Sequence, residues 1–545
     1  MDIPFKRWTL LTHRWLGIGV CLLFFFWFIS GMVMLYVGYP KLTYTERLQH
    51  LPVLTPDARL LSPRKAFAIA GIEDDSISDL RLSASRGGHP IYTAHLDGGP
   101  GNNETVVAVD AVSGQRLPPT DERAALDSAR IYLDQERPLR SPGQLAPSAK
   151  NKNTSSQTPL NLDGLHYLGT VDEDPHTHST DLNPHRPLHK VQLPDASHTL
   201  LYLSGTTGEV VRDAPRTERI FDYVGTWLHW LYMFRGGKLT AWWPSIVITV
   251  ASIGVLVAIT GSIVGILRWR FSRPYRSGSR SPFQPGIMRW HHIVGLLFAL
   301  TTLTWIFSGL MSMRPWGLFA NPAAELDTES ISSLDIDPQD ASAPPAQLLQ
   351  LAQASGSRSD IRELQWRTLL NRPVVMAINT AGGPPEILDA ISAQPVKLSE
   401  PQLAGALNAL QPGHPPLIER LQQYDFYYYT RADHTMMGGY GPHPLPIWRV
   451  HFDDPNQTWV HIDPRTATVL GTLTQRGRME RWLFFLMHSW DLLPLLERRP
   501  VWDIIMLLLA AGGLILSATG TWIGIKRLGI KQRKWRHNRL KAARQ

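Results

Sequence analysis

One cysteine, Cys21, stands among 545 residues. That scarcity excludes structural disulfides, a Cys-x-x-Cys-His haem attachment and a cysteine-held iron–sulfur cluster. Any haem in this chain would therefore be non-covalent and of b type. Other signatures are missing as well. No Gly-x-Gly-x-x-Gly marks a nicotinamide or flavin domain, no Walker motif marks an ATPase and no His-Glu-x-x-His marks a membrane metalloprotease. The chain thus offers no flavin or nicotinamide site of its own, and electrons would have to come from quinol or from a separate reductase. Charge is thin too, at 18% of residues, and it is unevenly spread.

Four apolar stretches hide within a mean hydropathy near zero: approximately Leu16 to Val37, Ser245 to Leu267, Ile293 to Met313 and Ile504 to Ile525. Each can cross a hydrocarbon core of roughly 30 Å, which takes about 20 helical residues. The first is too long for a signal peptide and lacks a small-x-small cleavage site after it, so it is expected to stay as an anchor. Basic residues set the orientation. Lys6, Arg7 and Arg14 precede the first stretch; Arg268, Arg270, Arg273, Arg276, Arg280 and Arg289 separate the second from the third. Lys526, Arg527, Lys531, Arg533, Lys534, Arg536 and Arg539 follow the fourth. All three segments read as cytoplasmic, which puts both termini inside and the two long intervening segments in the periplasm of a bacterium, on a multi-pass inner-membrane protein. The net charge of +8 then reflects topology and anionic lipid, with no need for nucleic acid.

Two ungapped self-alignments run through the chain. A shift of 278 lays His13, Gly17, Trp27, Ser30 and Gly31 on His291, Gly295, Trp305, Ser308 and Gly309. A shift of 259 lays His229, Trp243, Thr260, Gly261, Gly265 and Arg268 on His488, Trp502, Thr519, Gly520, Gly524 and Arg527. This is the pattern of an internal duplication, whose helices tend to face each other across a pseudo-two-fold axis. Ionisable groups bordering spans are costly and so are functional candidates. Two per half, at matching positions, point to haem iron held by His13 with His291 on the cytoplasmic side and by His229 with His488 on the periplasmic side, hence two haem b groups. His292 is the spare candidate. The matched glycines and serines either let helices approach closely or leave room for a flat macrocycle.

The expected organisation follows. Residues 1–37 hold the N-terminus and first span, and 38–226 a periplasmic region with a His-rich insertion. An interfacial helix and second span occupy 227–270, a cytoplasmic loop 271–289 and the third span 290–313. A second periplasmic region covers 314–479, an interfacial helix and fourth span 480–526, and a basic tail 527–545. Thr105 to Asp110 with Ala111 to Gln115 reads as strand, turn and strand, and Asp389 to Gln394 repeats it. A later hairpin turns at Gly208; its counterpart carries Ala467, which suggests a different turn geometry. Linkers rich in Pro, Ser and Asn occupy 141–159 and 337–345. Asp172 to His178, with His176, His178, His185 and His189, reads either as a metal site or as a plain polar loop. The aromatic run Tyr424 to Tyr429 reads as a docking surface or as an edge-buried strand.

These residues resemble the PepSY-associated transmembrane family. The resemblance is carried by His13-Arg14-Trp15-Leu16-Gly17 and Ser30-Gly31 at the ends of the first span, Trp227-Leu228-His229 before the second, and Thr260-Gly261 within it. The hairpins at Val109-Asp110 with Ser113-Gly114, and at Thr207-Gly208-Glu209-Val210, look like PepSY modules. The resemblance implies an α-helical membrane protein of four transmembrane helices with two periplasmic α+β PepSY-like modules. It also implies b-type haem and reduction of a ferric, siderophore-like chelate in iron uptake. Arg219 and Arg478, matched between halves, are candidates to attract the anionic chelate or a haem propionate, above an aromatic floor of Trp227, Trp230, Trp482 and Trp490. Two rivals stay open: a non-catalytic regulator of a peptidase or sensor, and a transport accessory protein.

Overall fold

The computed structural model describes residues 3–72, 77–96, 105–136, 164–317, 326–334, 342–355, 360–380, 383–433, 435–438 and 441–542. The linker 141–159 and most of 337–345 lie outside the described residues.

Among the described residues three helical stretches are long and apolar enough to cross a membrane, Pro4–Met34, Thr240–Arg268 and Val501–Arg533, within or around the helices Ile3–Met34, Trp243–Arg268 and Val501–Ala542. The third apolar stretch, expected as one span, is instead two helices, Ile287–Leu297 and Ala299–Ser312, bent by 68°; the pair counts as a fourth span only if both halves cross together. The break falls at Phe298, whose ring fills the space beside Gly512, where an added Cβ would come within 2.3 Å of it. Thr301, Thr302 and Thr304 follow, and β-branched residues resist helix formation weakly. His13 lies inside the first helix, which already begins at Ile3. The basic segment after the fourth stretch continues the last helix to Ala542, as a run of Lys, Arg and Leu allows. The first helix packs on the second and the last. Val20, Phe24, Val257 and Ile306 are buried where three of the helices meet.

The β-structure departs from two separate modules. Strands Ile77–Arg86, His89–Leu96 and Thr105–Asp110 join Ile361–Leu369, Arg372–Asn379 and Glu386–Asp389 in one antiparallel sheet, with Ser332–Ser333 added beside Ile361–Leu369. The halves meet where Leu82 lies opposite Leu364 and Ser83 opposite Glu363. Alternation explains the pairing: Leu80, Leu82, Leu364 and Val375 are all fully buried in one core. Each half then adds a four-stranded antiparallel sheet, His166–Val171 through Val210–Ala214 and Leu417–Leu421 through Thr468–Leu473.

The turns show where local rules gave way. After Asp110 and Asp389 the chain returns for single bridges only, Val109 to Arg116 and Leu388 to Pro395, in place of full strands. Ala467 adopts φ 53°, the same left-handed region as Gly208 at 78°. Full burial of Ala467 in the second sheet's core offsets the strain of that conformation. Tyr424 to Tyr429 form a loop, not a strand. Asp425 accepts the Tyr427 and Tyr428 backbone N–H groups, and the Tyr429 hydroxyl donates to Asp491.

Candidate functional site

Both four-stranded sheets end by feeding a short helix, Arg216–Asp222 and Gln475–Glu480, that widens into a π-turn, Tyr223–Trp227 and Arg481–Leu486. Such turns carry one extra residue and concentrate at functional sites. His229 and His488 follow immediately. The helices then stop at Leu231, φ 56°, and Trp490, φ 52°, a conformation that costs roughly 1–3 kcal/mol for a residue with a side chain. Tryptophans heading the next long helices hold it in place: Trp243 Nε1 donates to the Trp230 carbonyl at 2.7 Å and Trp502 Nε1 to the Ser489 carbonyl at 3.0 Å.

Each expected pair of histidines is brought together. The ring centres of His13 and His291 are 6.4 Å apart, and those of His229 and His488 are 6.1 Å apart. With a metal–nitrogen bond of about 2.0 Å and a ring centre about 1.2 Å beyond it, two imidazoles on opposite sides of one metal would have centres roughly 6.4 Å apart. Spacing therefore suits one iron per pair.

Protonation can be read from the partners. His13 Nδ1 lies 3.2 Å from the Val257 carbonyl and His291 Nδ1 3.2 Å from the Leu516 carbonyl. A carbonyl only accepts, so Nδ1 carries the proton. His229 and His488 place Nδ1 3.0 Å from the hydroxyls of Ser30 and Ser308, which themselves donate to the Trp27 and Trp305 carbonyls. The serine oxygens must then accept. In all four rings Nε2 is left unprotonated, with a lone pair for a metal, and the Nδ1 partner fixes ring orientation. Burial pushes His229 down to about 3, helped by the neighbouring His488, which burial pushes down to about 4, so both are neutral at ordinary pH.

The matched glycines make room for these rings. An added Cβ at Gly261 would sit 2.6 Å from His13 Cε1, and at Gly520 3.2 Å from His291 Cε1. At Gly31 and Gly309 the corresponding distances to His229 and His488 are 3.8 and 3.7 Å, ordinary contact. A cavity of about 280 Å³ adjoins the inner pair, lined by His13, His291, Phe24, Phe28 and Thr302, with Arg14, Arg268 and Arg527 also on its wall. Thr302 is 6% exposed, and its hydroxyl oxygen has no partner. Two free imidazole nitrogens, an orphaned hydroxyl and apolar walls fit a haem bound through both axial positions.

The other candidates fare differently. His292 is fully engaged, Nδ1 with the Ser281 hydroxyl at 2.8 Å and Nε2 with the Gly265 carbonyl at 3.0 Å, and has no nitrogen to offer. His176 pairs with Asp222, His178 with Glu173, His185 with the Ser204 hydroxyl and His189 with the Tyr167 hydroxyl. These four point to different partners, and no group of three or more His, Cys, Asp or Glu side chains forms a metal cluster among the described residues. The insertion instead clasps the segment bearing His229, since Arg235 also donates to the His178 carbonyl. Arg219 Nη1 donates to the carbonyls of His198 and Ala214, and Arg478 Nη1 to those of Gln457 and Leu473. Neither lines the inner cavity; their shared pattern is that of a brace between the last strand and the short helix. Trp230 packs on Tyr232 and Trp482 on Phe426, so these two form parts of separate aromatic clusters. Sequence reasoning missed the role of Ser30 and Ser308: their match was visible, but only as small residues.

A family model described as the PepSY-associated TM region matches residues 10–432. Among curated proteins none matches the chain.

Proposed function

Because this chain belongs to the PepSY-associated transmembrane family, we propose that it is a four-span, internally duplicated inner-membrane protein that carries electrons between two b-type haems to a ferric chelate in the periplasm. His13 and His291 would hold the inner haem, and His229 and His488 the outer. The observation that supports this most is the shared geometry of the pairs, with ring centres 6.4 and 6.1 Å apart and every Nδ1 spent on an acceptor.

When bound, haem supplies one-electron exchange at iron, tuned by its axial ligands and their hydrogen bonds. The chain's own part is to fix distance and exclude water. Ser30, which orients His229, lies on the same helix as His13, 17 residues on by number, or about 25 Å at 1.5 Å per residue. Phe24 stacked on Trp27 at 5.8 Å and Phe28 against Trp305 at 5.9 Å fill that interval with aromatic rings. The donor would be quinol or a separate reductase. Reduction suits iron release, because ferrous iron is held more weakly than ferric iron by hard oxygen chelators.

One observation favours a transport reading: the 68° break in the third span, since interrupted helices line substrate paths in transporters. Colour separates the two. The purified protein is expected to be red with a split, dithionite-sensitive haem band, whereas a permease or a regulator's anchor would be colourless. His13→Ala and His291→Ala should each lose the same haem, and His229→Ala and His488→Ala the other. Loss of one partner with no change in haem content, spectrum or potential would break the pairing.

A further inference from the structure

We propose that Arg268 and Arg527, with Arg14 beside them, bind the two carboxylates of the haem held by His13 and His291; this rests on the haem reading above. Basic residues at this end of the helices are expected from topology alone, so charge by itself is no argument. What matters is that all three arginines line the same cavity as His13 and His291. Arg527 and Arg268 are the charged neighbours of Arg14, so three like charges gather there. Among the described residues none of the three forms an ion pair, and Arg268 has only the Phe283 ring under it, at 5.6 Å. Gathering cations beside an apolar cavity is unfavourable until an anion joins them.

The duplication adds a stereochemical reason. Arg268 and Arg527 are equivalent under the 259-residue shift, Arg268 closing its long helix and Arg527 standing within the last one, which continues to Ala542, so one comes from each half. A b-type haem carries two carboxylates on one edge. A macrocycle between the halves would present one carboxylate to each arginine, and guanidinium matches carboxylate in a two-point fork. Arg14 has no such twin, because its counterpart His292 is spent on Ser281 and Gly265. Arg219 and Arg478, the earlier candidates for this task, are occupied by backbone carbonyls.

The test uses the full-length protein, prepared haem-free in phosphatidylcholine nanodiscs and titrated with iron protoporphyrin IX or its dimethyl ester. At the site that His291→Ala abolishes, the free acid should bind at least about tenfold more tightly than the ester, as charged hydrogen bonds warrant. Arg268→Gln/Arg527→Gln should lose that preference yet still take the ester with a bis-imidazole spectrum, which shows that it folds, and Arg268→Lys/Arg527→Lys should recover part of it. Equal binding of both porphyrins by the wild type, or a preference that survives in the Gln variant, overturns the proposal while leaving the haem reading intact. A Gln variant that keeps the preference but no longer retains phosphatidylglycerol would assign the arginines to lipid phosphate and overturn it as well. If neither porphyrin gives a bis-imidazole spectrum, the haem reading falls and this inference falls with it.

Discussion

Each of the four histidines owes its bare Nε2 to an acceptor supplied by another helix. At the inner pair it is a helix carbonyl; at the outer pair it is a serine oxygen whose own proton is already spent. The glycines beside the rings give this arrangement a sharp test. Gly261→Ala would drive a Cβ to 2.6 Å from His13 Cε1, so on the proposed reading it should displace the ring and lose the inner haem, a drop from the two proposed haems to one per chain by pyridine haemochrome assay. Gly31→Ala, with 3.8 Å to His229, should keep both. The reverse outcome would show that the inner ring is not held where His13 now lies. The histidines and glycines were legible in the sequence because they recur at fixed shifts. Their hydrogen-bond partners were not, since Val257 lies 244 residues from His13 and nothing in local spacing links them.

At the scale of elements, the short helices that carry the chain from sheet to membrane edge hold a titratable group of their own. Glu218, in Arg216–Asp222, is pushed up from 4.5 to about 7 by burial first and by Glu46 next, with Lys41 opposing. The folded protein then holds a proton that the unfolded chain has released, so this group's contribution to stability is full below pH about 4.5 and is lost as pH rises through about 7. Glu218→Gln should flatten that fall, raising the apparent Tm at pH 8 by roughly 2–4 °C per kcal/mol recovered and leaving it little changed at pH 4.5. Thermal unfolding across the pH range checks it; a parallel shift at every pH would assign the effect to packing. Long apolar stretches announced the helices, yet Phe298, where the third stretch breaks, seats its ring against Gly512, a residue of the last helix. Likewise Ala467 keeps a glycine-like turn because the surrounding core is closed over it.

Across the whole molecule the halves are tied together at the shared sheet, where Arg47 meets the fully buried Glu363 at 2.8 Å. Removing one member of a buried pair typically costs about 3–5 kcal/mol because the other charge is stranded. Glu363→Ala should therefore destabilise the sheet region by that order, seen as faster limited proteolysis of the β-rich part, while the haem proposed for the paired histidines is retained. Loss of haem without added proteolysis would mean that Glu363 acts on the bundle instead. Orientation is tested separately: a reporter fused after Ser277 should give a cytoplasmic signal, as the arginines of 268–289 require. A periplasmic signal would reverse the proposed direction of electron flow.

The sequence by itself determined the apolar stretches, the basic segments that flank them, the paired histidines and the motifs that carry the family resemblance, because each is a matter of composition or of recurrence at a constant shift. Tertiary structure alone decided which imidazole nitrogens are free, which arginines line the cavity beside His13 and His291, and that strands of both halves would join a single sheet, meeting at one strand from each. Those outcomes depend on partners some 200 residues distant, such as Ser30 with His229 at a separation of 199, and on whether a donor finds an acceptor or an open space once the helices close. Hydrogen-bond satisfaction is a property of the packed interior, and no pattern along the chain encodes it directly.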